Sequence, residues 1–187
     1  MNMRKLSCLF VVFALVAFVA AGCHNGSKRV SEVDSVMVEP VAQDSTIYGV
    51  CGEGTAMHTL ELVTDAGDTL RYMFGESGDN PVVGGLLVGD RLAVVDGPVV
   101  DGDKTARKII NLTTLIGKWT SLDKNFEIEE GGVVKSSIEA EKNPWTSWKI
   151  LNGQLLLNRD TFEIYNLGSD SLYLENKEGI FVYKRVR

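Results

Sequence analysis

The chain has 187 residues, 44% hydrophobic and 24% charged, with a formal net charge of −6. That length allows one domain or two small ones. The acidic balance argues against nucleic acid as a partner, because a phosphate backbone demands clustered Lys and Arg. Two His and three Cys leave little material for metal or thiol chemistry, and no cofactor is expected.

Residues 1–22 read as an export leader. Arg4 and Lys5 give a positive start, Leu9 to Ala20 is an unbroken apolar run, and Ala20-Ala21-Gly22 precede Cys23. The run is shorter than the ~20 apolar residues of a spanning helix and fits a secretory h-region. Small residues directly before a Cys resemble the bacterial lipobox, here with Ala20 where Leu is usual. This resemblance implies cleavage before Cys23 and acylation of its thiol, making membrane lipid the partner of the mature N-terminus. Two acyl chains suffice for stable anchoring, each buried CH₂ contributing ~0.8 kcal/mol. Loss of Arg4 and Lys5 leaves 17 basic against 25 acidic residues, a net −8. Such a body stands off an anionic bilayer. With Cys8 removed and Cys23 acylated, Cys51 stands alone and no internal disulfide can form.

Residues 23–45 read as a flexible tether, with Ser, Glu, Asp, Lys and isolated Val in no helical or strand period. Its r.m.s. span is ~25 Å. His24-Asn25-Gly26-Ser27-Lys28-Arg29 lacks the acidic residues that mark surface export in Bacteroidetes lipoproteins, and no Asp follows Cys23. By that likeness the anchor lies in the outer membrane and the body faces the periplasm, with the cell surface as the alternative.

From Thr46 onward no stretch sustains a helical period. Short β-branched and aromatic runs recur, divided by Gly, Asn and Asp. The chain therefore reads as all-β, in two antiparallel groups. Residues 46–115 hold five strands: Ile47–Cys51, Thr59–Thr64, Thr69–Phe74, Arg91–Val95 and Ala106–Leu112. Turns fall at Asp65-Ala66-Gly67-Asp68 and at the hairpin pair Asp101-Gly102. Five strands with one long connection, Gly75 to Gly89, fit a small OB-like barrel. Residues 116–187 hold eight: Lys118–Leu122, Phe126–Glu129, Val133–Ile138, Thr146–Leu151, Gln154–Leu157, Phe162–Tyr165, Leu172–Glu175 and Ile180–Arg185. Asn152-Gly153 is a second hairpin pair. Eight sequential strands form an up-and-down meander, most economically closed into a barrel that leaves no edge. One continuous barrel over 46–187 is the alternative.

Gly117-Lys118-Trp119 opens this meander and Tyr183-Lys184-Arg185-Val186 closes it. A G-x-W on the first strand with a terminal basic residue resembles the lipocalin family, in particular the short lipocalin-like domains of Bacteroidetes lipoproteins. The resemblance covers about 72 residues, half the usual length after the G-x-W. It implies that Trp119 plugs one barrel end and that Arg185 covers it, a cation–π contact of ~0.5–2 kcal/mol. It further implies a binding function, either for a small apolar ligand or, as in calycin-type inhibitors, for an envelope protein. Eight strands of ~17 Å enclose room for side chains or one small ligand. A packed interior follows, with recognition at the rim or outside.

Trp145 and Trp148 lie three apart on one expected strand and so face opposite sides. Trp148 shares a face with Ile150 and reads as core. Trp145, after Pro144, reads either as an exposed aromatic platform at a barrel mouth or as packing against its loop. With Tyr173, whose face is opposite to that of Leu172 and Leu174, they are the candidate contacts for a ligand or partner. Cys51 and His58 could face each other across a hairpin, but no third group orients them, and Cys51 reads as a small buried residue. Asp96, Asp101 and Asp103 suggest a solvated hairpin tip rather than a Ca²⁺ loop. Glu127, Glu129 and Glu130, and the Glu139/Glu141 pair, read as solvent-facing charge. The Gly84–Gly89 run lacks the Lys-Ser/Thr of a phosphate loop and reads as a turn. No enzyme is expected.

Overall fold

The computed structural model describes residues 43–74, 80–137 and 143–186. The expected leader, Cys23 and the tether before residue 43 lie outside these, as do Ile138 and the Glu139/Glu141 pair. Every expected strand is present, and the protein is all-β in two sheets.

The first sheet holds β1 (Thr46–Cys51), β2 (Thr59–Thr64), β3 (Thr69–Met73), β4 (Val82–Val83), β5 (Arg91–Val100) and β6 (Asp103–Asn111) in the order β3-β2-β1-β5-β6-β4. A parallel pairing of β3 with β6, Met73 opposite Thr105, brings the five longer strands round on themselves. This is the OB-like order. In β2, Leu60, Leu62 and Thr64 are buried while Val63 is exposed, the period-2 pattern of a strand with one wet face. Asp101 and Gly102 turn at φ of 51° and 91°, the left-handed pair that a tight hairpin requires.

Strand β4 lies inside the expected Gly75–Gly89 connection, and Leu112, expected to end a strand, opens a helix; a longer stretch also departs from expectation. Strands β5 and β6 form a longer arm, reaching Val100 and starting at Asp103. Register shifts around Asp96 to Val99 absorb Gly97 and Pro98, residues that break strand periodicity in a sequence. Asp96 therefore lies in the ladder rather than at a tip. It accepts a 2.7 Å hydrogen bond from the Tyr72 hydroxyl and pairs with Lys104 at 3.7 Å. Burial and this carboxylate together push the Tyr72 pKa up.

The second sheet holds β7 (Gly117–Thr120), β8 (Asn125–Ile128), β9 (Val134–Ser136), β10 (Trp148–Leu151), β11 (Gln154–Leu157), β12 (Asp160–Leu167), β13 (Ser171–Asn176) and β14 (Gly179–Arg185). Sequential strands pair from β7 to β9 and from β10 to β14, and β14 pairs with β7. Strands β9 and β10 meet at a bridge between Val133 and Ser147, and the Val134 N–H donates to the Thr146 carbonyl at 3.1 Å. The result is a nearly closed eight-stranded barrel. Its sheet is separate from the first, so one continuous barrel does not form.

Between the sheets lies α1 (Leu112–Leu115), whose N-terminus is capped by the Asn111 side chain accepting from the Thr114 N–H. Both barrels share one apolar cluster: Ala93, Ile110, Leu112 and Leu115 pack with Trp119, Ile150, Leu155 and Leu174. Polar ties reinforce it. The Tyr48 hydroxyl donates to the Ile150 carbonyl at 3.0 Å, and the Asn152 N–H donates to Thr46 Oγ1 at 3.0 Å.

Candidate functional site

An up-and-down barrel has two ends, each built from alternate turns. One end here is sealed. Trp119 is fully buried, and its Nε1–H donates to the Leu115 carbonyl at 2.9 Å. The Arg185 guanidinium lies 4.2 Å from the indole centroid. Its Nε–H donates to the Ser169 carbonyl at 2.6 Å, Nη1 to the Ile116 carbonyl at 2.9 Å, and Nη2 to the Thr114 carbonyl. Three carbonyls from two segments are thus gathered by one planar fork, which an ammonium could not do. Partial burial pulls the Arg185 pKa below its ordinary value, and the nearby Asp170 opposes that shift. The glycine of the G-x-W also has a physical reason. Gly117 sits at φ 137°, and a Cβ there would lie 2.3 Å from Arg185 Nη1. Trp119 and Arg185 thus close this end of the barrel between them.

The other end is open. The β7–β8, β11–β12 and β13–β14 turns surround a cavity of about 990 Å³. Trp145, Phe162, Phe181 and Tyr183 line it, and with Phe126 behind them they form a chain of rings, each meeting the next edge to face: Tyr183 to Phe126 at 5.0 Å, Phe126 to Trp145 at 5.1 Å, Trp145 to Phe162 at 5.8 Å, and Phe162 to Phe181 at 6.1 Å. Below these rings Ile128, Ile150, Leu155, Leu157, Ile164 and Leu174 are buried and fill the barrel. The cavity is therefore a mouth rather than a deep cup. Around the rim stand Lys124, Arg159 and Lys177 with Asp123, Asp160 and Glu178, so the two signs balance.

The structure does not gather the three candidate aromatic contacts into one site. Trp145 is only 6% exposed, which overturns its reading as an exposed platform. It precedes β10 rather than belonging to it. Its ring is wedged between Phe126 and Phe162, its Nε1–H donates to Asp160 Oδ2 at 3.3 Å, and Lys124 Nζ sits 4.0 Å over its face. It contributes to the floor of the mouth. Trp148 is half-buried at the edge of the shared core and faces a second cavity between the barrels. Tyr173 lies half-buried on the outer face of β13, opposite Val182 of β14, and lines neither cavity. The rim residues Lys124, Arg159 and Asp160 escaped sequence reasoning, although their turns follow from the meander once its alternation is known.

Cys51 is buried, with its Sγ 3.3 Å from Thr55 Oγ1, whereas His58 is exposed. Among the described residues no group of three or more His, Cys, Asp or Glu is arranged to hold a metal ion. No protein-family model, curated protein or solved structure matches this chain.

Proposed function

We propose that this chain is a non-catalytic lipoprotein of a bacterial envelope, anchored through acylated Cys23 to the outer membrane and facing the periplasm, whose C-terminal barrel binds a small apolar ligand at its open end. The observation that carries the binding reading is the aromatic-floored mouth at the end opposite the Trp119–Arg185 seal. Its volume is within the ~300–1,000 Å³ of small-molecule sites. A rim of balanced charge selects no ion, so attraction falls to the rings and to the exposed Ile180.

The test is a titration with N-phenyl-1-naphthylamine, an uncharged fluorescent probe. Asn176 lines the mouth on the face of β13 that carries the buried Leu172 and Leu174. Asn176→Trp fills the mouth and is expected to weaken that binding at least about tenfold. Unchanged affinity of the folded variant removes the mouth as the site. Anchoring is tested separately: Cys23→Ala abolishes metabolic palmitate labelling, and labelling that survives refutes acylation there.

A second reading, docking of an envelope protein, is favoured by the outer face of β12 to β14. A register shift between Ile164 and Asn166 leaves both Tyr165, at 64% exposure, and Asn166 on the outer face, near Tyr173 and the exposed Val182. Bulges often re-aim side chains in this way.

A further inference from the structure

The cavity between the two barrels is a separate feature of about 590 Å³, lined by Tyr48, Leu112, Ile116, Trp148 and Ile150 with polar groups at its edge. The polar tips of both of its aromatic residues are already satisfied inside the protein. The Trp148 Nε1–H donates to the Glu129 carbonyl at 2.7 Å. The Tyr48 hydroxyl donates to the Ile150 carbonyl at 3.0 Å. What these rings present to the cavity is therefore apolar surface, held in fixed orientation by those bonds. Burial, with the nearby Asp44 charge, raises the Tyr48 pKa, so its hydroxyl remains a donor at neutral pH.

The edge charges cancel one another. Arg91 is held by both carboxylate oxygens of Asp65, and one further charge of each sign, Lys149 and Glu130, lines the cavity. Gly131 and Gly132 line one wall in the left-handed region, at φ 75° and 84°. Gly131 has nothing within 4 Å of where a Cβ would stand, so that wall is open for want of side chains. Both barrels supply lining, Tyr48 and Arg91 from one and Trp148 to Ile150 from the other, and clefts between such units are favoured ligand sites.

We propose that this inter-barrel cavity is a second binding site, distinct from the mouth, for a flat, uncharged molecule of two or three rings that lies against Trp148 and Tyr48. Apolar walls with no free hydrogen-bonding tips select hydrocarbon rings over sugars or ions, because a polar ligand would lose its hydration without compensation. The site owes nothing to the mouth, and its test is run with the mouth closed. In the Asn176→Trp protein, N-phenyl-1-naphthylamine is expected to retain one binding site per chain. Adding Trp148→Ala removes the wall, and adding Thr113→Trp fills the cavity from an exposed position; each is expected to weaken the remaining binding at least about tenfold. If Trp148→Ala melts at room temperature, Thr113→Trp decides. Absence of residual binding in Asn176→Trp overturns the proposal, as does residual binding that neither substitution touches.

Discussion

Arg185 is the sharpest lever on the sealed end. Arg185→Ala removes the cation–π contact with Trp119, ~0.5–2 kcal/mol. It also leaves the half-buried carbonyls of Thr114 and Ile116 without their donor, ~1–3 kcal/mol. The Ser169 carbonyl is at an exposed residue and water replaces its partner at little cost. The expected loss is about 2–4 kcal/mol, or roughly 5–15 °C in Tm for a chain of this size. Urea and thermal melts followed by far-UV circular dichroism measure it. Arg185→Lys keeps the charge but not the fork, and recovers only part of the loss. A double-mutant cycle with Trp119→Phe isolates the stacked pair, with an expected coupling of ~0.5–2 kcal/mol. An Arg185→Ala melt within about 0.5 kcal/mol of wild type refutes the reasoning.

Three further outcomes follow from the same geometry. Gly117→Ala forces a Cβ against the guanidinium and costs about 2–4 kcal/mol, but much less in an Arg185→Ala background, where the clash partner is gone; equal costs in both backgrounds contradict the contact. Trp145→Ala is a core deletion and costs ~3–5 kcal/mol in the same melts; a loss under about 1 kcal/mol returns the ring to the surface. The Arg91 guanidinium holds the Asp65 carboxyl below its ordinary pKa of 3.8. A lowered folded-state pKa means that the pair's stabilisation is complete above about pH 4 and fades as pH falls further. Because the pair is exposed, it is worth at most about 1 kcal/mol, and the stability gap between wild type and Asp65→Asn closes at low pH; a gap that persists at pH 2 contradicts the pairing.

Much of the architecture was readable because strands with one wet face announce themselves by alternation. Leu60, Leu62 and Thr64 did so in the first barrel, and Leu172 and Leu174 in the second. Left-handed turns announced themselves through Asp101-Gly102 and Asn152-Gly153. What escaped was too short or too tertiary. Strand β4 has two residues and α1 four, below any period. The β5–β6 arm hid behind Gly97 and Pro98. Trp145 could not be placed from its neighbours, since its burial depends on Phe126 and Phe162 converging from other strands. The pairing of Trp119 with Arg185 spans nearly the whole second barrel, and only the resemblance suggested it. The inter-barrel cavity exists only because two sheets dock through one core, a fact that no single segment encodes.

The central claim is a barrel stoppered at one end by Trp119 and Arg185 and receptive at the other. Backbone-amide NMR shifts of the folded Thr113→Trp protein, titrated with N-phenyl-1-naphthylamine, test it most directly, because the inter-barrel cavity is then filled. The account predicts shifts concentrated at Ser121 to Lys124, Arg159 to Phe162 and Asn176 to Phe181, with Gly117 and Ser169 silent. Saturable binding that leaves those three turns unmoved would contradict it.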